Sequence, residues 1–129
     1  MDSGRVLAAL RTRLLSSEGL TAIVGERIYV SRADVAGLVP AVVLRLNGGS
    51  DANHPAFTTP DVAVDIYSAT SWQEAFSVQG QVTDCLRLKD IRDGLPEPLR
   101  RITCNPPQQM PQGDYFHLVQ IFHCVVKEA

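Results

Sequence analysis

The sequence predicts an α+β domain, a mainly antiparallel sheet of about five strands with two long helices packed on one face. Three observations predict it. Two segments, one at the N-terminus and one in mid-chain, repeat apolar residues at the 3.6-residue helical period. Several short runs are rich in β-branched residues and alternate apolar with polar positions. The links between those runs are mostly of hairpin length, which favours antiparallel neighbours.

The first helix begins near Gly4, where Asp2 or Ser3 can cap it, and ends near Ser16-Ser17. Val6, Leu7, Leu10 and Leu14 form its apolar stripe, with Arg5, Arg11 and Arg13 largely off it. Glu18 to Val24 reads as a short second turn of helix, stopped by Gly25. Arg27 to Val30 is a short β-rich run, Ser31 to Leu38 a loop, and Pro40 opens a strong strand from Ala41 to Leu46.

Asn47-Gly48-Gly49-Ser50 is a turn signal. Asp51 to Pro60 is polar, holds two prolines and reads as an exposed hairpin arm. The next strand, Asp61 to Ser68, sets Val62, Val64 and Ile66 on one face and Ala63, Asp65 and Tyr67 on the other. Ser71 caps the second long helix, with Glu74 completing a capping box. Its stripe is Trp72, Ala75, Phe76, Val82 and Leu86, with Val78 and Cys85 at the margin, and it ends near Lys89. A loop from Asp90 to Pro98 leads to a strand from Leu99 to Cys104. Asn105 to Gly113 is a second proline-interrupted loop. Tyr115 to Val126 is the longest strand, apolar on both faces as a central strand should be.

A chain of 129 residues fits one domain, 1–129, and can bury a core without disulfide or metal staples. A net charge of -2 argues against a nucleic-acid grip, which draws on a basic excess. No apolar run approaches the length of a membrane-spanning helix, and the N-terminus lacks the apolar core of a signal peptide. The expected site of synthesis is therefore the cytoplasm.

The residues that usually carry chemistry do not assemble into a site. Cys85, Cys104 and Cys124 are odd in number and show no CxxC spacing, so reduced thiols are expected rather than a zinc knuckle. Cys104 and Cys124 can still lie side by side on paired strands. Gly48-Gly49 lacks the Lys-Ser or Lys-Thr of a phosphate loop. His117 and His123 share a strand face but stand about 20 Å apart, too far for one metal. His54 reads as a solvated residue of the arm. Asp61 and Asp65 share parity on the less apolar face and read as a solvent-facing or subunit-facing surface rather than an acid–base pair. The expectation is no catalytic, cofactor-binding or metal residue, no cofactor and no enzymatic activity.

Charge is blocked along the chain. From Leu46 through Leu86 there is no Lys or Arg, while Asp51, Asp61, Asp65, Glu74 and Asp84 fall within the stretch. Two oppositely charged surfaces of that kind suit head-to-tail association of copies. An ordinary mixed surface remains the competing reading. Phe57, apolar within the arm, can dock on a neighbour or tuck under its own hairpin.

Three motifs, in order, resemble the tail-terminator or tail-completion proteins of long-tailed bacteriophages. The opening helix leads into Leu20-Thr21-Ala22-Ile23-Val24-Gly25-Glu26-Arg27-Ile28-Tyr29. Val39-Pro40-Ala41-Val42-Val43-Leu44 follows, with Ala41 where the family usually has an aromatic. Val62 to Ser68 then precedes Trp72 and a long helix. The resemblance covers about the first two thirds of the chain. It implies a structural virion protein that forms a ring, typically of six copies, at the head-proximal end of the tail tube. Such a ring ends tube polymerisation and meets the head-side connector, or stopper, protein. DNA passes through its lumen without specific binding, and no membrane is involved. On this reading Asp51, Phe57, Asp61 and Asp65 make subunit or tube contacts. Arg100 and Arg101 are candidate basic partners, with Asp65–Arg101 as one pair. The alternatives are a head–tail joining protein of the neck and a small ligand-binding domain.

Overall fold

The computed structural model describes residues 3–31, 37–50, 57–86, 99–110 and 113–127. In chain order these form α1 (Ser3–Leu15), α2 (Glu18–Val24), β1 (Ile28–Val30), β2 (Ala41–Ser50), β3 (Phe57–Ser68), α3 (Trp72–Leu86), β4 (Leu99–Cys104), β5 (Gln108–Met110) and β6 (Phe116–Lys127). The strands make one six-stranded sheet in the order β1-β2-β3-β6-β4, with β5 also paired to β6.

The expected architecture needs correction in two respects. The sheet is mixed rather than mainly antiparallel, because β1 and β2 run parallel, Ile28 opposite Val42 and Val30 opposite Leu44. The link between them, residues 31–40, is longer than a hairpin turn. There are also three short helices rather than two long ones, since α2 is a helix in its own right. The Ser17 side chain caps it by accepting from Leu20 N at 3.2 Å, and Gly25 closes it at φ 61°.

Two segments read as turn and loop are strands. The Asn47–Ser50 turn signal is absorbed into β2, and β3 begins at Phe57, with Gly49 opposite Pro60 and Ser50 opposite Thr59. The ladder accommodates the glycines through a register shift between Leu46 and Gly49. β5 falls within the second proline-interrupted loop. It follows β4 along the same side of β6, with Gln108 opposite Val119 and Cys104 opposite Phe122. Asn105–Pro107 is the interruption between them.

The core lies between the helices and one sheet face. Val6, Leu10 and Leu14 of α1, Leu20 and Val24 of α2, and Ala75, Val78, Val82 and Leu86 of α3 are fully buried. They pack against Ile28, Val42, Leu44, Val62, Val64, Ile66, Leu118 and Phe122. The buried stripe of α3 therefore centres on Val78, and Phe76, expected inside it, is 41% exposed. Ser71 caps α3 by accepting from Glu74 N at 3.1 Å. The Glu74 carboxylate accepts from the Ser68 hydroxyl at 2.7 Å, which in turn accepts from Ser71 N at 3.3 Å. The capping box is thus closed through Ser68, tying the end of β3 to the start of α3.

Candidate interaction surfaces

On the face of the sheet turned away from the core, β3 and β6 are joined by polar side chains. Asp65 is only 3% exposed. It accepts from Arg45 Nε at 2.6 Å and meets His117 Nε2 at 2.9 Å. His117 also stacks on Tyr67, ring centroids 4.2 Å apart, and Tyr115 meets Tyr67 edge-on at 6.1 Å. Burial pushes the Asp65 carboxyl towards its neutral form, but hydrogen bonds from His117 and Arg45 and the Arg45 charge outweigh it. Its pKa is held below the usual aspartate value. The same bond raises the Arg45 pKa. Asp61 forms a second pair four residues away, its carboxylate 2.7 Å from His123 Nδ1.

Asn105 connects this face to the helical layer around the side of β6. Its side-chain oxygen lies 3.1 Å from His123 Nε2, and its carbonyl accepts from Gln120 Nε2 at 2.9 Å. Gln120 is buried on the core side, where its Oε1 accepts from Gln79 at 3.2 Å and Thr83 at 3.1 Å. Among the described residues, no buried side-chain nitrogen or oxygen lacks a partner. These groups hold strands and helix together.

By register, Phe57, Asp61 and Arg101 fall towards one end of the sheet, opposite Lys127, His123 and Val125 of β6, whereas Asp65 stands further along, opposite Val119. Asp61 and Asp65 stand on one strand face, as parity requires, and each is engaged with a histidine of its own chain. Arg45, the cation that meets Asp65, is not among the residues the sequence predicts for this surface. The signal for it is the β2–β3 register: Arg45 lies opposite Ala63 and Asp65 opposite Val43, so the two are diagonal neighbours. Asp51 and His54 lie outside the described residues. Phe57, Arg100 and Arg101 are placed by backbone alone, Phe57 opening β3 and the arginines in β4.

The cysteines fit a structural role. Cys124 lies opposite Ile102, and Cys104 opposite Phe122, so the two are diagonal rather than directly paired. Burial, with Asp61 adding to it, pushes the Cys124 thiol up to about 12. Cys85 donates to Arg13 O at 3.3 Å while Arg13 Nε donates back to Cys85 O at 3.3 Å, clasping α1 to α3. Among the described residues, no group of three or more His, Cys, Asp and Glu side chains is placed to hold a metal ion. No helix among them is long and apolar enough to cross a membrane.

The fold has a counterpart among solved structures. A chain from "Virion of native gene transfer agent (GTA) particle" superposes with a TM-score of 0.71, covering 95% of this chain and 95% of that one. At 16% sequence identity the likeness is one of fold. No curated protein matches the sequence. Residues 8–127 match the family described as Tail completion protein gp17. That match spans nearly the whole chain, and the protein belongs to this family of phage tail proteins.

Proposed function

We propose that this protein forms a ring at the head-proximal end of the phage tail tube, ends tube polymerisation and joins the tail to the head-side connector. The coarser statement, that it is a structural protein of the phage virion, follows from the family. The observation that carries the finer reading is the match to a tail-completion family over residues 8–127. The partners are further copies of itself, six to a ring, together with the tail tube protein and the head-side connector, and DNA passes through the lumen unheld.

Asp51, Phe57, Asp61, Arg100 and Arg101 remain the proposed contacts to neighbours or tube, and Asp65 shapes that surface from beneath. Light scattering of the purified protein at low and moderate salt tests the assembly. The expected species has a mass of about 85 kDa, six chains of 14.1 kDa, and weakens as salt screens its contacts. A monomer at every concentration, both alone and with tail tubes present, contradicts the reading.

A further inference from the structure

The charge blocks of the sequence shrink when each charge is traced to its partner. Of the acidic stretch between Leu46 and Leu86, Asp61 is engaged by His123, Asp65 by Arg45 and His117, and Glu74 by Ser68. Asp84, exposed on α3, has no partner among the described residues. It stands one helical turn beyond Gln81, whose side chain lies against Gly19, so exposed Glu18 of α2 borders the same patch. Arg13, which bonds the carbonyl of Cys85, stands nearby.

On the basic side the opposite holds. Arg11 Nε donates to Ile28 O at 2.6 Å, and Arg27 Nε donates to Pro40 O at 2.8 Å. Both guanidiniums are fixed in place by one main-chain bond each. Neither has a carboxylate partner among the described residues, in contrast to Arg45. A guanidinium anchored through Nε keeps its terminal nitrogens for a carboxylate and loses little entropy in taking one. The Ile28 carbonyl belongs to β1, the edge strand of the sheet, and the Pro40 carbonyl lies just before its neighbour β2; Arg27 directly precedes β1, where Val30 is an exposed apolar residue. Exposed Glu26 borders Arg27 there and tempers the positive charge. Arginine beside an exposed apolar group is a common composition for a protein interface.

We infer that the β1 flank of one copy, through Arg11 and Arg27, receives the Asp84 patch of α3 on the next copy. The two patches differ, so the contact is head-to-tail and can propagate around a closed ring. This rests on the ring reading above and adds to it one subunit contact, separate from the residues named there.

The test is charge reversal, read by light scattering with thermal unfolding as the check on folding. Asp84→Lys alters an exposed side chain without an internal bond and keeps the fold. Arg27→Glu also loses the bond to Pro40, so Arg27→Gln serves as its neutral control. Each reversal is expected to weaken self-association about tenfold or more. An equimolar mixture of Asp84→Lys and Arg27→Glu proteins then assembles again, because each contact in an alternating ring meets an opposite charge. If the unaltered protein assembles and both reversed variants assemble equally well, this contact is overturned and the ring reading stands. The same holds if the variants fail singly and the mixture fails too. An unaltered protein that stays monomeric alone and with tail tubes overturns both.

Discussion

On the helix-covered face β3 presents Val62, Val64 and Ile66, all fully buried; one residue along, its other face presents Asp61, Ala63, Asp65 and Tyr67. The first set is held by apolar packing, which is non-directional and scales with area. The second is held by paired charges and stacked rings, which depend on a few exact partners. The same strand thus belongs to two kinds of structure, and the difference predicts where substitutions hurt and how pH acts.

The largest loss is expected on the helix-covered face. Phe122→Ala removes the largest fully buried side chain and should cost about 3–5 kcal/mol by chemical denaturation. On the opposite face, Asp65→Ala strands a histidine and a half-exposed arginine. The expected cost is about 2 kcal/mol, because Arg45 can turn to water. A cost at Asp65 as large as that at Phe122 would collapse the distinction between the faces.

Acid sharpens it further. The folded pKa of Asp65 is depressed, so its contribution is fully present above the unfolded value of 3.8 and is lost as pH falls through the folded one. The stability gap between the unaltered protein and Asp65→Asn should therefore narrow below about pH 4, whereas the gap for Phe122→Ala should not follow this carboxylate. Denaturant titrations at several pH values would show it.

Smaller effects probe the seam between the faces. Gln120→Leu leaves Gln79, Thr83 and the Asn105 carbonyl to find other partners, for an expected cost of about 1 kcal/mol. At the small end, Phe76→Ser on the outer side of α3 should change stability by no more than about 0.5 kcal/mol.

Much of the core was legible in sequence because period and burial coincide. The stripe Val6, Leu7, Leu10 and Leu14 is buried as its spacing requires, and β4 runs from Leu99 to Cys104 as read. The parity of β3 correctly set Asp61 and Asp65 apart from Val62, Val64 and Ile66. Elsewhere local signals were overridden by tertiary partners. Asn47–Ser50 carries turn chemistry, yet pairing with β3 draws it into a strand. β5 is exposed at all three positions and has no alternation to read; only its pairing with β6 makes it a strand. In α3, Ala75, Val82 and Leu86 are buried and Trp72 packs against the core as their spacing requires, but Val78, expected at the margin, is fully buried and Phe76, expected in the stripe, is 41% exposed. On the outer face, the shared parity of Asp61 and Asp65 was legible and their side-chain partners were not. Arg45 meets Asp65 only through a strand register that no local pattern specifies.

The most direct test of the account is the length of tail tubes grown from purified tube protein with and without this protein, measured by electron microscopy. Tail completion predicts tubes arrested at shorter lengths, with a ring at one end and lengths that fall as more protein is added. Tubes of unchanged length with no density at their ends would contradict it, and a ring that binds only preformed tube ends without limiting growth would assign the protein to head–tail joining instead.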